Sequence, residues 1–418
     1  MRFLSNRTLV SCFMMAFPVL FFAYQFTVRV MPSLLTKQIM QTLSIDATTF
    51  GFLIGSYYLG IALANIPTAM LLERYAPGFV IGINASLCGL LLFAFHNTDN
   101  GYTAIAIRFL LGVVSSAGFT GVSRVTLQWF GKEEYGFVLS CSLTLALLGS
   151  LFGGAPLGSL INAYGTKTMI NALMIFSFFI SAGALVFLTS SRNKRPESMP
   201  RMKFVDLLQV LCSGELLLLG ICSILMMGIS HGFVDLWAVP YFVASHDISR
   251  TEAAAIVGCN VIGVMVGGPI LAFIGRRIGA AVVIAATGVA EAVVFYGIIL
   301  SNIHFNWWLF GSTMFILGLF SSGRVLFFSM CVRLFSPNVA AVAVSCLGCV
   351  FMVGGVCFHN VIGALLDYVT YGGPVYSLVQ GQYPVESFRI ALLVIPIGCV
   401  LGAGLTLLTD KLYVERHA

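Results

Sequence analysis

The sequence predicts an all-α integral membrane protein of twelve transmembrane helices arranged as two six-helix bundles. Three observations carry that prediction. Of 418 residues, 59% are hydrophobic and 9% charged, against about 25% charged in an ordinary soluble domain. The apolar residues gather into runs of about 18 to 25, long enough for a helix to cross a bilayer and too long for barrel strands of about ten. A strongly basic connection falls near the middle of the chain, with six runs on each side.

Taken in order, the runs predict spans over 9–31, 50–72, 79–96, 102–122, 137–161, 168–190, 214–243, 252–275, 280–300, 307–328, 339–366 and 388–409. The first follows Arg2 and Arg7 as a secretory leader would, but it has no small-residue cleavage site and a polar connection leads from it to a second run. It is therefore read as a retained helix. The sixth and seventh runs are separated by a stretch carrying Arg192, Lys194, Arg195, Arg201 and Lys203. This divides the chain into an N-terminal bundle over 1–190, a cytoplasmic linker over 191–213 and a C-terminal bundle over 214–418.

Lys and Arg set the orientation. With the N-terminus inside, the inner face receives fifteen of them, including Arg74, Arg124, Arg276, Arg277 and Arg333, and the outer loops receive Lys37, Lys167 and Arg250. Both termini are then cytoplasmic, in the inner membrane of a bacterium. The net charge of +6 is a topology signal and not the mark of a nucleic-acid partner. The eleven cysteines lie mostly within apolar runs and without paired spacing next to His, so neither a disulfide frame nor a zinc site is indicated. No nucleophile elbow, phosphate loop or His-Glu-x-x-His motif is present. The sequence thus points away from an enzyme and calls for no cofactor.

Short motifs add a family likeness. Pro67-Thr-Ala-Met-Leu-Leu-Glu73-Arg74 resembles the loop between the second and third spans of the major facilitator superfamily, with Ala69, Glu73 and Ala76 in place of Gly, Asp and Gly. Ala272-Phe-Ile-Gly-Arg276-Arg277-Ile-Gly279 is similar to it at the matching place in the second half. Arg108-Phe-Leu-Leu-Gly112 resembles the superfamily's Arg-x-x-x-Gly in span four. The glycines and proline from Gly149 through Gly153, Gly154 and Pro156 to Gly158 resemble its span-five run, although small residues at this spacing also simply pack helices. Asp235-Leu-Trp237-Ala-Val-Pro240-Tyr241, the run from Gly354 to Asp367, and Tyr24 with Arg29 are similar to a bacterial branch of nutrient importers for amino acids or nucleosides, itself similar to a lysosomal dipeptide carrier. The resemblance implies a monomer in which spans one, four, seven and ten line a central cavity and spans three, six, nine and twelve face lipid. It also implies that Glu73, Arg74, Arg276 and Arg277 latch helix ends on the cytoplasmic side.

Ionisable residues inside spans mark a substrate or proton path. Arg29 is in span one, Arg108 in four, Asp235 in seven and Arg324 in ten, while Glu291 in span nine stands apart from the cavity set. Gln25 shares a helix face with Arg29. By helical rise, Arg29 and Arg108 fall at one level in the outer part of the membrane, where an anion could join two guanidiniums. The competing reading of each is a side chain that snorkels to headgroups; for Arg29 this supposes that the helix core ends near residue 28. Tyr24, Tyr57, Trp237 and Tyr241 offer aromatic surface to an organic substrate. His231 and Asp235, four residues apart, suit proton coupling, and Asp235 is expected to pair with Arg29 or Arg108 when an outer gate closes. His359 and Glu291 are further candidates for coupling or gating.

These residues define the expectation of a secondary transporter. It moves a small zwitterionic or anionic solute (an amino acid, short peptide or related metabolite) with protons or another coupling ion. A siderophore or drug transporter, and a transport-dead receptor or scaffold of the same fold, are the alternatives.

Overall fold

The structure, a computed structural model, describes residues 6–188, 213–299, 306–335, 340–372 and 383–417. Of the predicted linker only Ser213 falls among them. Eleven helices of the described residues are long and apolar enough to cross a membrane: α1 (Phe13–Leu34), α2 (Ala47–Leu72), α3 (Pro77–His96), α4 (Gly101–Phe130), α5 (Cys141–Tyr164), α6 (Thr166–Leu188), α8 (Arg250–Ile278), α9 (Ala280–Gly297), α10 (Trp307–Leu334), α11 (Cys346–Tyr371) and α12 (Val385–Lys411). The pair Gly214–Leu225 and Gly228–His246, bent by 43°, supplies α7. Each predicted span therefore has its helix. One predicted connection differs, because the backbone stays helical through Ala117–Gly153. The Gln, Lys and Glu residues between spans four and five are helix formers and no proline interrupts them.

Helix starts follow the capping residues the chain provides. Asn100 accepts from the Thr103 amide at 3.0 Å at the head of α4, and Asn306 from Leu309 at 3.1 Å at the head of α10. Ser249 and Glu252 cap each other's backbone at the head of α8; each satisfies amides that a helix leaves open. Gly279, between α8 and α9, has φ +98°, which requires glycine or strain. The matching Ala76 in the first half has φ −60° and precedes Pro77 at the first helical position. That extended backbone suits any residue, which is why alanine is tolerated there.

By contact the chain forms two compact units, Met1–Met31 with Leu59–Pro200, and Pro32–Tyr58 with Arg201–Ala418. In the first unit α1 rests on α5 through glycine. A Cβ on Gly149 would lie 1.8 Å from the Ala23 carbonyl oxygen, and one on Gly153 2.6 Å from the Val30 side chain. The C-terminal half of α2 meets α4 at Gly60, where a Cβ would lie 2.2 Å from the Phe109 carbonyl, and through the Thr68 and Ser116 hydroxyls at 2.6 Å. In the second unit the N-terminal half of α2 lies on α11. A Cβ on Gly51 would be 2.3 Å from the His359 carbonyl, and one on Gly363 2.4 Å from that of Ala47. The same unit packs α8 on α10, with a Cβ on Gly318 only 1.9 Å from the Asn260 carbonyl. Small residues that bring backbones together are the main adhesive between apolar helices in lipid. The units therefore part company with the sequence halves over Pro32–Tyr58, where the glycines of α2 face α11.

Gly149→Val should lower the thermal midpoint in detergent markedly, since overpacking costs about 1–3 kcal/mol and each kcal/mol is worth about 2–4 °C in a domain of this size. Gly404→Ala, with nothing within 4 Å of the added carbon, should leave the midpoint unchanged in the same fluorescence melt.

Candidate functional site

The charged groups inside the spans fall into one cluster in the first unit and three in the second. The first is organised by a proline. Pro32 lies within the α1 helix, which runs unbroken through Asn6–Leu34, and having no N–H it leaves the carbonyl of Val28 without its helical donor. Arg108, eight residues into α4 and 0% exposed, supplies one, with Nη1 donating to the Val28 oxygen at 3.3 Å. Its guanidinium also lies 5.7 Å from the Phe95 ring centre. Arg29, half-buried beside Val28, stacks its guanidinium 4.3 Å over Phe26. The helix continues past residue 28 to Leu34, and the Arg108 side chain is fully buried. Gln25 lies over Gly118 of α4, so close that a Cβ there would be 2.0 Å from its Oε1. Tyr24 is buried with its ring 6.4 Å from that of Phe176.

In the second unit, α7 is π-wound over Gly228–Trp237, a local widening of the helix frequent at functional sites. His231 Nδ1 and Asp235 Oδ2 are 2.8 Å apart. The Tyr58 hydroxyl donates to the same carboxylate oxygen. The Tyr58 ring stands edge-on to His231 at 5.3 Å and to His359 at 5.1 Å. Asp235 is 5% and His359 0% exposed. A carboxylate held by a phenol and an imidazole, with a second imidazole edge-on to the phenol, is a group able to pass a proton without a charge being stranded in lipid.

A third cluster lies on the buried face of α9, whose Val282, Val289 and Val293 are exposed on the other. Glu291 is 1% exposed and receives Arg324 Nη1 at 3.3 Å together with the Ser321 hydroxyl. Arg324 Nη1 also donates to the Met226 carbonyl at 2.9 Å, and Nη2 to the Ser230 hydroxyl. Met226 is at the bend of α7, so the ion pair braces the break from α9 and α10. Arg324 itself sits in a tight turn over Ser322–Val325 within α10.

The fourth cluster gathers at the start of α2. Asp367 of α11, 1% exposed, accepts from the Ala47 amide at 3.2 Å, the Thr48 amide at 2.6 Å and the Thr48 hydroxyl. Tyr383 donates to Asp367 at 2.7 Å and accepts from the Ala47 amide at 2.9 Å. Burial first, and then the Asp367 carboxylate, hold the Tyr383 phenol well above its usual range, so it stays a donor at physiological pH.

The remaining predicted residues take other positions. Tyr57 and Trp237 are buried, Trp237 edge-on to Phe50 at 5.9 Å. The hydroxyl of Tyr241, also buried, donates to the Ile299 carbonyl. In the predicted latch, the Glu73 side chain lies outside the described residues, and Arg74, Arg276 and Arg277 are exposed, with Arg277 stacked 4.5 Å over Phe273. Arg124, not singled out from sequence, donates from Nε to the Leu72 carbonyl at 3.2 Å and so holds the end of α2. Asp367, Thr48, Tyr383, Ser230 and Ser321 were likewise not marked as site residues. Depth was the available signal for one pairing: Glu291 is eleven residues from the Ala280 end of α9, and Arg324 ten from the Leu334 end of α10.

A chain of twelve apolar helices with charges paired inside them is a multi-pass membrane protein. It belongs to the Major Facilitator Superfamily, whose family model matches residues 13–359. Among curated relatives, the uncharacterized transporter YybO of Bacillus subtilis is 24% identical over 36% of this chain and 36% of its own length. The probable galactarate/D-glucarate transporter GudP of Escherichia coli is 20% identical over 59% of this chain and 62% of its own. A putative tartrate transporter of Agrobacterium vitis is 27% identical over 30% and 29%. The chain thus spans between about a third and three fifths of these proteins. Among solved structures, the nucleoside transporter NupG aligns with a TM-score of 0.74 at 12% identity over 95% of this chain and 99% of its own. An inward-facing, unoccupied bacterial homologue of the human lysosomal transporter Spinster aligns at 0.71 and 15%, over 97% and 98%. At such identities these likenesses establish the fold alone.

If Arg108 serves the carbonyl that Pro32 exposes, Arg108→Gln should destabilise the protein by about 2–3 kcal/mol. Restoring the amide with Pro32→Ala should reduce that loss by about half in a double-mutant cycle of melting curves. Additive losses would separate the two residues.

Proposed function

We propose that this chain is a secondary transporter of the bacterial inner membrane, with both termini cytoplasmic. It carries a small anionic or zwitterionic organic solute by alternating access and imports it together with protons. The observation that carries this reading is the pair of arginines on adjoining turns of α1 and α4. Arg108 reaches the backbone of α1 one residue before Arg29, which puts two cationic residues at one level of the first unit. Such a pair is costly in an apolar interior and matches the planar geometry of a carboxylate. GudP and the Agrobacterium protein are named for galactarate, D-glucarate and tartrate, each of which carries two carboxylates. Arg324 is assigned to its pairing with Glu291 and not to the solute. Tyr24 and Gln25, on the same helix as Arg29, are assigned to the surroundings of the Arg29 and Arg108 pair.

Proton coupling is assigned to Asp235 with His231 and Tyr58. When the carboxylate is ionised it accepts from both neighbours; once protonated it loses its claim on the imidazole, and the contact weakens. Export of a drug is the competing reading, supported by a quinolone resistance transporter of Acinetobacter baumannii that is 23% identical over 40% of this chain. The glycine run of α5 packs against Ala23 and Val30.

The reading is tested in proteoliposomes with labelled tartrate, D-glucarate and an amino-acid mixture under an imposed pH gradient. The parent protein should accumulate one of these against its gradient. Asp235→Asn should cut that accumulation at least tenfold while keeping solute counterflow. Undiminished proton-driven accumulation in the variant would remove Asp235 from the coupling.

A further inference from the structure

The amides that open α2 are served from another helix. The N-cap Asp46 takes the Thr49 amide at 2.8 Å with its own side chain and the Phe50 amide at 2.9 Å with its carbonyl. The Ala47 and Thr48 amides go to Asp367, 320 residues away in sequence. Three open donors of the helix start, the Ala47, Thr48 and Thr49 amides, are thereby satisfied, that of Thr48 only while α11 stays in place. The carboxylate also lies where the positive end of the helix dipole is strongest. Gly51 and Gly363 permit this approach, since a Cβ on either would run into the facing backbone. Asp367 is thus a buried carboxyl group whose partners are the start of α2 and the Tyr383 phenol. The segment it holds is also the one that packs away from the rest of its own sequence half.

We infer that Asp367 is the clasp of the outer gate: it fixes Pro32–Tyr58 against α11, and its release lets that segment swing away as one body. The inference rests on the alternating-access reading for the direction of the swing, and on the geometry alone for the clasp. Asp367 is a positioning residue here and touches no solute. Tyr383 is its second support, because it bonds both the carboxylate and one of the clasped amides. A local cap and a gate clasp differ in how far their loss spreads. A cap protects one turn, whereas a clasp protects the whole contact of α2 with α11.

Hydrogen–deuterium exchange of the full chain in lipid nanodiscs separates the two without any solute. In Asp367→Asn, exchange over residues 47–58 and over residues 355–366 should rise together by at least tenfold, with the α8–α10 contact unchanged. Thr48→Val and Tyr383→Phe, which keep the charge, should each give a smaller rise over the same two stretches. The double variant Asp367→Asn with Thr48→Val should exchange no faster than Asp367→Asn alone. A rise confined to residues 47 and 48, or no rise, would overturn the clasp. Because solute is absent, a wrong solute class alters the transport assay and leaves this result as it stands.

Discussion

The bond from Arg108 to the carbonyl of Val28 is the constraint on which the candidate site depends. Pro32 removes one amide from α1, and in a bilayer an unserved carbonyl costs several kcal/mol because no water can replace the donor. An arginine in the same apolar interior costs about 2.5–3.5 kcal/mol by insertion scales. Placed together, each lowers the cost of the other. The arrangement also decides geometry: it ties α4 to α1 at the turn that carries Arg29, leaves the helix intact through Leu34, and turns a proline that would weaken the span into the reason for its register against α4.

The second unit follows the same rule with different chemistry. The bend of α7 exposes the Met226 carbonyl, and Arg324 covers it while Glu291 neutralises Arg324. The start of α2 exposes two amides, and Asp367 covers both. In each case backbone groups that the helix leaves open are met by an ionisable side chain from a different helix. Asp235 differs in kind. Its partners, His231 and Tyr58, are titratable, so its environment can change with a proton, whereas a guanidinium keeps its charge. That difference separates the Asp235 cluster from the braces.

Much of this architecture was legible in the sequence because hydropathy acts on long stretches. Twelve runs became twelve spans, and His231 with Asp235 was found from a four-residue spacing that survives the π-winding of α7. What was not legible came from pairings across sequence. Glu291 and Arg324 were read separately, one as an outlier and the other as a solute ligand, because no local pattern joins α9 to α10. Asp367 was quoted only within a motif, since a carboxylate at the end of one helix gives no local sign that it caps the start of another. The partition of α2 was hidden for a related reason. Gly51, Gly55 and Gly60 are alike in sequence, and only the fold assigns the first two to α11 and the third to α4. The proline signal was available: a Pro four residues after Val28 marks an open carbonyl, and Arg108 at the same depth was the donor to look for.

The central claim is that Arg29 and Arg108 together recognise an anion. Calorimetric titration of the purified protein with tartrate and D-glucarate, beside their neutral diamides, tests it most directly. The account predicts binding of at least one of the acids and of neither diamide, and a loss of about 10- to 100-fold in affinity for Arg29→Gln, the worth of a charge-assisted hydrogen bond. Equal affinity in Arg29→Gln, or diamides bound as well as the acids, would contradict it and return Arg29 to a lipid-facing role.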